Sequence, residues 1–485
     1  MSKVRTRFAP SPTGYMHIGN LRTALYAYLV AKHDDGDFIL RIEDTDQARE
    51  VDGACDIIFE TLKQCHLYED EGPAKPGKCG PYVQSERVKQ GIYRDYAFKL
   101  VELGGAHVCF CKSEDIEAQR EVAQARGESF LFHDPCKNLS AEEIKARIDA
   151  GEPYVIRQTI DTFGTSSYED EVYGTITVDN NTLDEQILLK SDGFPTYNFA
   201  NVVDDHLMGI THVVRGNEYL SSTPKYNLMY DAFGWQRPTY IHCPPVMKDE
   251  FHKLSKRNGD ASFQDLVAKG YLPQSILNYI ALLGWSPEEE REIYSLEELC
   301  HAFNIKHIGT SGAIFDINKL TWMNGVYLRN MDIDTYYATI KPYLDEAIKT
   351  ESIDKMEVAQ ILHERVSTLN EIAEMVDFID VYPNYENDLY TNKKMKSNPE
   401  IALPVLKESY NVLANLTEWN FDIIHDALMQ QVKDMGLKNG QVLFPIRVAL
   451  SGKAFTPGGC MELANILGKE ESLRRINLSI KQLEA

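Results

Sequence analysis

The stretch RFAPSPTGYMHIGN, residues 7–20, leaves this chain few ways to continue. Residues 4–8 alternate apolar and basic side chains, as a short strand does. Pro10, Pro12 and Gly14 then force a tight, irregular turn, because proline fixes φ and glycine tolerates left-handed backbone. From 21 to 32 the apolar residues Leu21, Ala24, Leu25, Tyr28 and Leu29 recur at helical spacing. The segment therefore reads strand, loop, helix N-terminus. The first N–H groups of a helix lack intrahelical partners and sit at its positive end, so this junction suits an anion such as a phosphate. His17 can donate to phosphate, and Gly19, without a Cβ, allows close approach. A His-x-Gly triplet alone would mean no more than an ordinary turn; the whole fourteen-residue string is far more specific.

Further along, residues 38–42 read as a short apolar strand, and Glu43, Asp44, Thr45 and Asp46 follow it, where open α/β sheets bind ligands. Asp and Thr also suit a helix cap, so Glu43 can face a pocket while a later residue caps. Residues 69–80 form a Gly/Pro-rich connection, and 82–103 read as one amphipathic helix with Val83, Val88, Ile92, Tyr96 and Leu100 on a face. Ser113 is expected to cap a polar helix ending near Gly127, and Ser140 with Glu143 makes a capping box for a helix stopping at Gly151. Residues 154–185 are strand-like. Residues 72–184 thus read as a mixed insertion between two halves of a nucleotide-binding fold. The second half opens on a strand at 186–190, then PTYNFANVVDD at 195–205, and a strand at 211–215. A helix capped by Thr223 and Pro224 ends at Gly234, and a strand spans 240–247. Helices at 262–269 and 273–283, and one opened by Ser295 and Glu298, come next. Beyond 330, the segments 333–347, 355–379, 399–416 and 421–435 carry apolar residues three and four apart, which predicts a helical bundle.

A chain of 485 residues exceeds one core, so about two to four domains are expected. No apolar run is long enough to span a bilayer, and MSKVRTRF lacks the apolar core of a signal peptide. Nine cysteines scattered over this length argue for a reducing cytosol rather than a disulfide scaffold. The net charge of −23 disfavours indiscriminate nucleic-acid binding but leaves room for a local basic track.

One such track is the loop His252-Lys253-Leu254-Ser255-Lys256-Arg257, with Gly259 beyond it. In isolation it reads as a solvated basic loop. Together with the His17 segment it resembles the second signature of class I aminoacyl-tRNA synthetases, just as residues 7–20 resemble the first, with Asn20 where His is often found. RIEDTD at 41–46, PTYNFANVVDD and FDINKLTWMNG at 315–325 extend the resemblance to the glutamyl-tRNA synthetases, of bacterial type, over nearly the whole chain. The resemblance implies an α/β Rossmann-type catalytic domain (1–75 and 185–245) with an inserted α+β acceptor-stem-binding domain (76–184). A stem-contact region (246–329) and an all-α anticodon-binding domain (330–485) would follow.

The reaction implied has two steps. Glutamate and ATP give glutamyl-adenylate, and the glutamyl group passes to the terminal adenosine of tRNA-Glu, with Mg2+ accompanying ATP. Both substrates arrive ionised, so the work is positioning and electrostatics. Lys253 and Lys256 would stabilise charge building on the leaving pyrophosphate, alongside His17 and Gly19. Pro10, Ser11, Thr13, Gly14, Asn20 and Ser255 complete the ATP site implied. A dicarboxylic amino acid needs a cation for each carboxylate and an acid for its ammonium, with guanidinium preferred for bidentate geometry. Arg7, Arg215 and Glu43 are the candidates, with Tyr197 and Asn201 as neutral donors. By the resemblance, Arg7 and Tyr197 contact the side-chain carboxylate and Arg215 the α-carboxylate. Glu43 and Ser11 take the ammonium, with Ala9 on the same wall. A cytoplasmic monomer with no membrane partner is expected.

Other readings fit less of the chain. Glutaminyl-tRNA synthetase would carry a β-barrel anticodon part, and a tRNA-queuosine-modifying relative none. A small His-x-Gly-His nucleotidyltransferase leaves the second half unexplained. A regulatory tRNA-binding paralogue has no need to keep His17, Lys253 and Lys256. Finally, Cys109, Cys111 and Cys136 match the spacing of a structural zinc knuckle found in part of the family. Its usual last ligand is replaced by Asn138, which makes His133 the expected fourth ligand.

Overall fold

The computed structural model describes residues 3–46, 51–127, 130, 132, 134–254 and 262–485. The chain divides into two compact units, Met1–Val267 with Pro273–Asp316, and Ala268–Leu272 with Ile317–Ala485.

The first unit mixes helix and strand. Strand β1 (Arg5–Phe8) runs parallel to β2 (Asp37–Leu40), joined by the helix Ile18–His33. The sequence predicts a single apolar stripe on that helix. In fact Ile18, Leu21, Ala24, Leu25, Tyr26, Ala27, Leu29, Val30 and Ala31 are all buried, so it lies inside the unit rather than on its surface. Its polar groups are paired accordingly: Tyr26 donates to the carbonyls of Ala281 and Leu283, and Thr6 of β1 donates to that of Ala27.

Next along the chain, β3 (Ala106–Cys109), β4 (Val155–Gln158), β5 (Thr165–Asp170), β6 (Gly174–Asp179) and β7 (Ile187–Leu189) follow in order. β3, β4 and β7 form an antiparallel sheet, so the strand expected to open the second Rossmann half pairs with β4. Next come β8 (His212–Gly216) and β9 (Thr239–Cys243), parallel to each other. The amide of Thr211 donates to the Arg5 carbonyl, which brings β8 beside β1. β5 joins β9 in parallel at Asp170 and Tyr240, and hairpins back into β6. The short β10 (Val246–Met247) pairs with β11 (Ala313–Ile314).

Several expectations need correction. The helix expected at 82–103 is two, Gln84–Lys89 and Ile92–Glu102, because Gly91 sits at φ 77° between them. PTYNFANVVDD, to which the sequence assigned no element, is the helix Tyr197–Leu207. Ser113 and Thr223 are first helical residues rather than caps; Lys112 and Ser222 hold those positions. Both capping boxes, Ser140 with Glu143 and Ser295 with Glu298, form as expected.

The second unit is helical, from Ile317–Arg329 to Cys460–Glu484. The helix expected at 355–379 is split into Lys355–Leu362 and Glu371–Val376. Glu371 reaches back to the Ser367 amide and the Thr368 hydroxyl, which starts a new helix there. Arg475 is buried against the carbonyls of Phe378, Leu450 and Ile379, each at 2.8 Å. The five residues Ala268–Leu272 belong to this unit through Leu272 N–H to Asn324 Oδ1 (2.8 Å), Leu369 N–H to the Gly270 carbonyl (3.0 Å) and Asn370 Nδ2 to the Ala268 carbonyl (2.9 Å). Among the described residues no helix is long and apolar enough to cross a membrane.

Candidate active site

The loop after β1 and the N-terminus of the helix Ile18–His33 open onto a cleft of about 570 Å³ in the first unit. His17 is the N-cap, and its Nδ1 accepts the Gly19 N–H at 3.0 Å. Since Nδ1 accepts, the neutral ring carries its proton on Nε2, where it is a donor. A Cβ on residue 19 would stand 3.2 Å from His17 Nδ1, so glycine there lets the ring fold over the helix end. The first turn carries no acidic side chain, which keeps the positive end of the helix available to an anion.

Of the residues singled out from the sequence, the cleft gathers Arg7, Ala9, Pro10, Ser11, Thr13, His17, Gly19, Asn20, Glu43, Tyr197, Arg215 and Lys253 on its walls. Gly14 and Asn201 do not line it; Asn201 is buried and its Nδ2 donates to the Tyr197 carbonyl one turn back. Ser255, Lys256 and Arg257 lie outside the described residues, as does His133.

The three ionic candidates are held by a buried network that sequence reasoning did not find. Arg7 Nε donates to Asp205 (3.0 Å) and its Nη1 to the Val214 carbonyl (3.2 Å). Arg41, fully buried, donates from Nη1 to the same Asp205 (2.8 Å) and from Nη2 to Glu43 (3.0 Å). Burial would raise the Asp205 carboxyl, but Arg7 and Arg41 hold it below the usual range. Glu43 goes the other way: burial outweighs Arg41 and Arg7 and pushes it up to about 7. Arg215 donates from Nε to His242 Nε2 (3.0 Å) and from Nη2 to Thr223 Oγ1 (2.6 Å), with the rings of Tyr219, Tyr226 and Tyr240 around its guanidinium. The signals for this network were present as RIEDTD and NVVDD, whose adjacent charges in apolar surroundings must pair when buried.

Chemically, the cleft brings together on its walls a helix N-terminus, a lysine, two arginines and a carboxyl group. That arrangement can take a polyphosphate and a zwitterion bearing a second carboxylate.

A separate cluster lies at the end of β3. Cys109, Cys111, Cys136 and Asp134 present ligand atoms all within 4.8 Å of one another. Backbone amides donate to two of the sulfurs, Phe110 to Cys136 and Cys111 to Cys109, both at 3.4 Å, as suits thiolates around a cation. Among the described residues Asp134 is the fourth donor of the cluster, His133 lying outside them: its Oδ1 faces Cys111 Sγ at 3.6 Å, and its Oδ2 bonds His107 Nε2 at 3.0 Å.

Residues 3–322 match the family model described as tRNA synthetases class I (E and Q), catalytic domain, and residues 335–480 match an anticodon binding domain. The chain is 56% identical over 483 residues to a "Glutamate--tRNA ligase" of Clostridium acetobutylicum, covering 100% of this chain and 99% of that protein. It is 57% identical over 484 residues to the protein of the same name from Clostridium botulinum, with the same coverage. Among solved structures, a glutamate tRNA ligase from Elizabethkingia meningosepticum in complex with its amino acid superimposes with a TM-score of 0.90 at 35% identity, over 99% of this chain and 100% of that one.

Proposed function

The chain belongs to the glutamate--tRNA ligases, class I synthetases of the E and Q group, and from that premise we propose that it joins L-glutamate to tRNA-Glu through a glutamyl-adenylate, with release of pyrophosphate and AMP. The observation that carries this reading is the meeting of His17 and Lys253 with Arg7, Glu43 and Arg215 in one cleft.

In this reading the ATP phosphates lie over the N-terminus of the helix Ile18–His33, where His17 Nε2–H and the first-turn amides donate to them. Lys253 and Lys256 meet the charge that grows on the β- and γ-phosphates as pyrophosphate leaves. Mg2+ arrives with ATP. Arg7 is anchored at Nε and Nη1, which directs its remaining Nη2 to the glutamate side-chain carboxylate together with Tyr197. Arg215 takes the α-carboxylate and Glu43, as carboxylate, the ammonium. No side-chain nucleophile is needed: the substrate carboxylate attacks the α-phosphorus once the two are aligned. The donor set of three thiols and a carboxylate fits zinc. Cys109, Cys111, Cys136 and Asp134 would hold it, and it would tie the small β3 region together without entering the reaction.

The test is aminoacylation with purified tRNA-Glu and tRNA-Gln in parallel, with ATP–pyrophosphate exchange measured with and without tRNA. Charging of tRNA-Glu with glutamate, and exchange that appears only when tRNA is added, are expected. Charging with glutamine, or no exchange under either condition, would overturn the reading.

A further inference from the structure

Arginine binds a carboxylate well only when its planar fork is fixed before the ligand arrives. Arg215 is the last residue but one of β8 and lines the cleft, whereas His242 and Thr223, which hold its Nε and Nη2, are not among the lining residues. Its Nε donates to His242 Nε2 at 3.0 Å. A guanidinium can only donate, so His242 Nε2 must be the acceptor and the ring proton must sit on Nδ1. That Nδ1–H points at Asp170 Oδ2, 2.5 Å away. Asp170 is itself fastened: its Oδ1 accepts the amides of Val172 (3.0 Å) and Tyr173 (2.9 Å), and Oδ2 also faces the His242 amide (3.3 Å). Neither the His242 nor the Asp170 side chain is exposed at all. Nothing in the chemistry of adenylate formation calls for a buried carboxylate and imidazole at this place.

We propose that Asp170 and His242 are positioning residues for glutamate binding: a carboxylate–imidazole pair that orients the Arg215 guanidinium toward the α-carboxylate of the amino acid. Asp170 holds the ring in one tautomer and one orientation, and the ring in turn presents a lone pair where Arg215 Nε has to be. Thr223 Oγ1, which donates its own proton to the Tyr219 carbonyl, accepts from Nη2 at 2.6 Å. Two edges of the fork are thereby set, and Nη1 is left to swing only with the whole plane. Burial keeps the His242 imidazole neutral, with its pKa lowered chiefly by desolvation and further by Arg215, against the pull of Asp170. A protonated ring would turn a donor toward Arg215 and break the chain of bonds.

Asp170 closes strand β5, in the segment that the sequence reads as an insertion, whereas His242 and Arg215 lie on β9 and β8. The residue pairing Asp170 with Tyr240 is where β5 joins the parallel sheet. The hairpin of β5 and β6 therefore supplies the last member of the amino-acid pocket from behind.

This inference rests on the assignment of Arg215 to the glutamate α-carboxylate, and the experiment separates the two. Steady-state aminoacylation by the full chain is measured with glutamate and ATP varied in turn, for His242→Leu, His242→Gln, Asp170→Asn and Arg215→Lys, each checked by thermal melt. His242→Leu and Asp170→Asn are expected to raise KM for glutamate by roughly tenfold or more, with KM for ATP and kcat changed less than about twofold. His242→Gln, whose amide can both accept from Arg215 and donate to Asp170, should stay within about threefold of the parent. In the Arg215→Lys background, His242→Leu should add less than about twofold, because its partner is already altered. A folded His242→Leu with unchanged glutamate KM, equal rises for both substrates, or full additivity with Arg215→Lys would each overturn the proposal. If Arg215→Lys alone leaves glutamate KM unchanged, the pocket assignment itself falls. Should His242→Leu not fold, the comparison of His242→Gln with Asp170→Asn decides the matter in the same way.

Discussion

Arg41 Nη2 stands 3.0 Å from Glu43 Oε1, and neither side chain is more than 3% exposed. The two residues lie two apart on an extended chain, so they share one face, and the arginine spends its second amino group on Asp205. Glu43 thus carries only part of a counter-charge, and burial prevails.

The first prediction concerns pH. With its pKa pushed up to about 7, Glu43 loses its charge on mild acidification, and with it the attraction for a substrate ammonium. KM for glutamate should rise as pH falls below 7, approaching tenfold per unit at the limit, roughly the slope for loss of one essential charge. Stability has the opposite sign. The native state holds a proton that the unfolded chain has released above about 4.5, so this group costs stability as pH rises from there through about 7. Glu43→Gln should flatten the KM profile. A parent enzyme whose glutamate KM is level from pH 8 to 6 would refute the assignment.

The second concerns the basic loop. Lys253→Ala and Lys256→Ala should each slow adenylate formation, on the order of 100-fold, by removing charge aimed at the leaving pyrophosphate. Affinity for tRNA, measured by filter binding, should hardly change. Normal single-turnover activation in both variants would take the loop out of the mechanism.

For the cluster at β3, protein purified without chelator should contain about one zinc per chain, as a closed four-ligand structural site does. Asp134→Ala should surrender it to a chelating dye faster than the parent, and Cys111→Ser should lose it outright. Zinc content far below one, unaffected by either change, would dismiss Asp134 as a ligand.

In the helical unit, Arg475→Leu leaves the carbonyls of Phe378, Leu450 and Ile379 buried without their donor. At about 1–3 kcal/mol for each orphaned group, the loss should lower the melting temperature of that unit clearly. Calorimetry resolves it; an unshifted transition would mean that water replaces the guanidinium.

How far the sequence could be read depended on the range of each interaction. The His17 turn, the Ser140 and Ser295 capping boxes and the helices Ile333–Ala347 and Phe421–Asp434 rest on spacings within a few residues, and those are visible in a linear string. The break at Gly91 was hidden because apolar spacing continues in register on both sides of it. Arg41 with Asp205, and Asp170 with His242, are 164 and 72 residues apart, and no periodicity announces such a pair. Asp134 was not legible as a donor for a different reason: a carboxylate carries no spacing signal of its own, and only the folded chain turns it toward the thiols.

Ala268–Leu272 has a practical consequence for anyone dissecting this molecule. These five residues precede Pro273 in the chain yet are stitched to Asn324, Leu369 and Asn370. A fragment begun at Ile317 would own every long helix of the second unit and still miss a clasp that closes it. Grafting one family member's helical half onto another's catalytic half therefore means matching three seams, at 267/268, 272/273 and 316/317. A hybrid cut at the last seam alone would leave the Leu369 amide and the Asn324 side chain facing a stranger's loop.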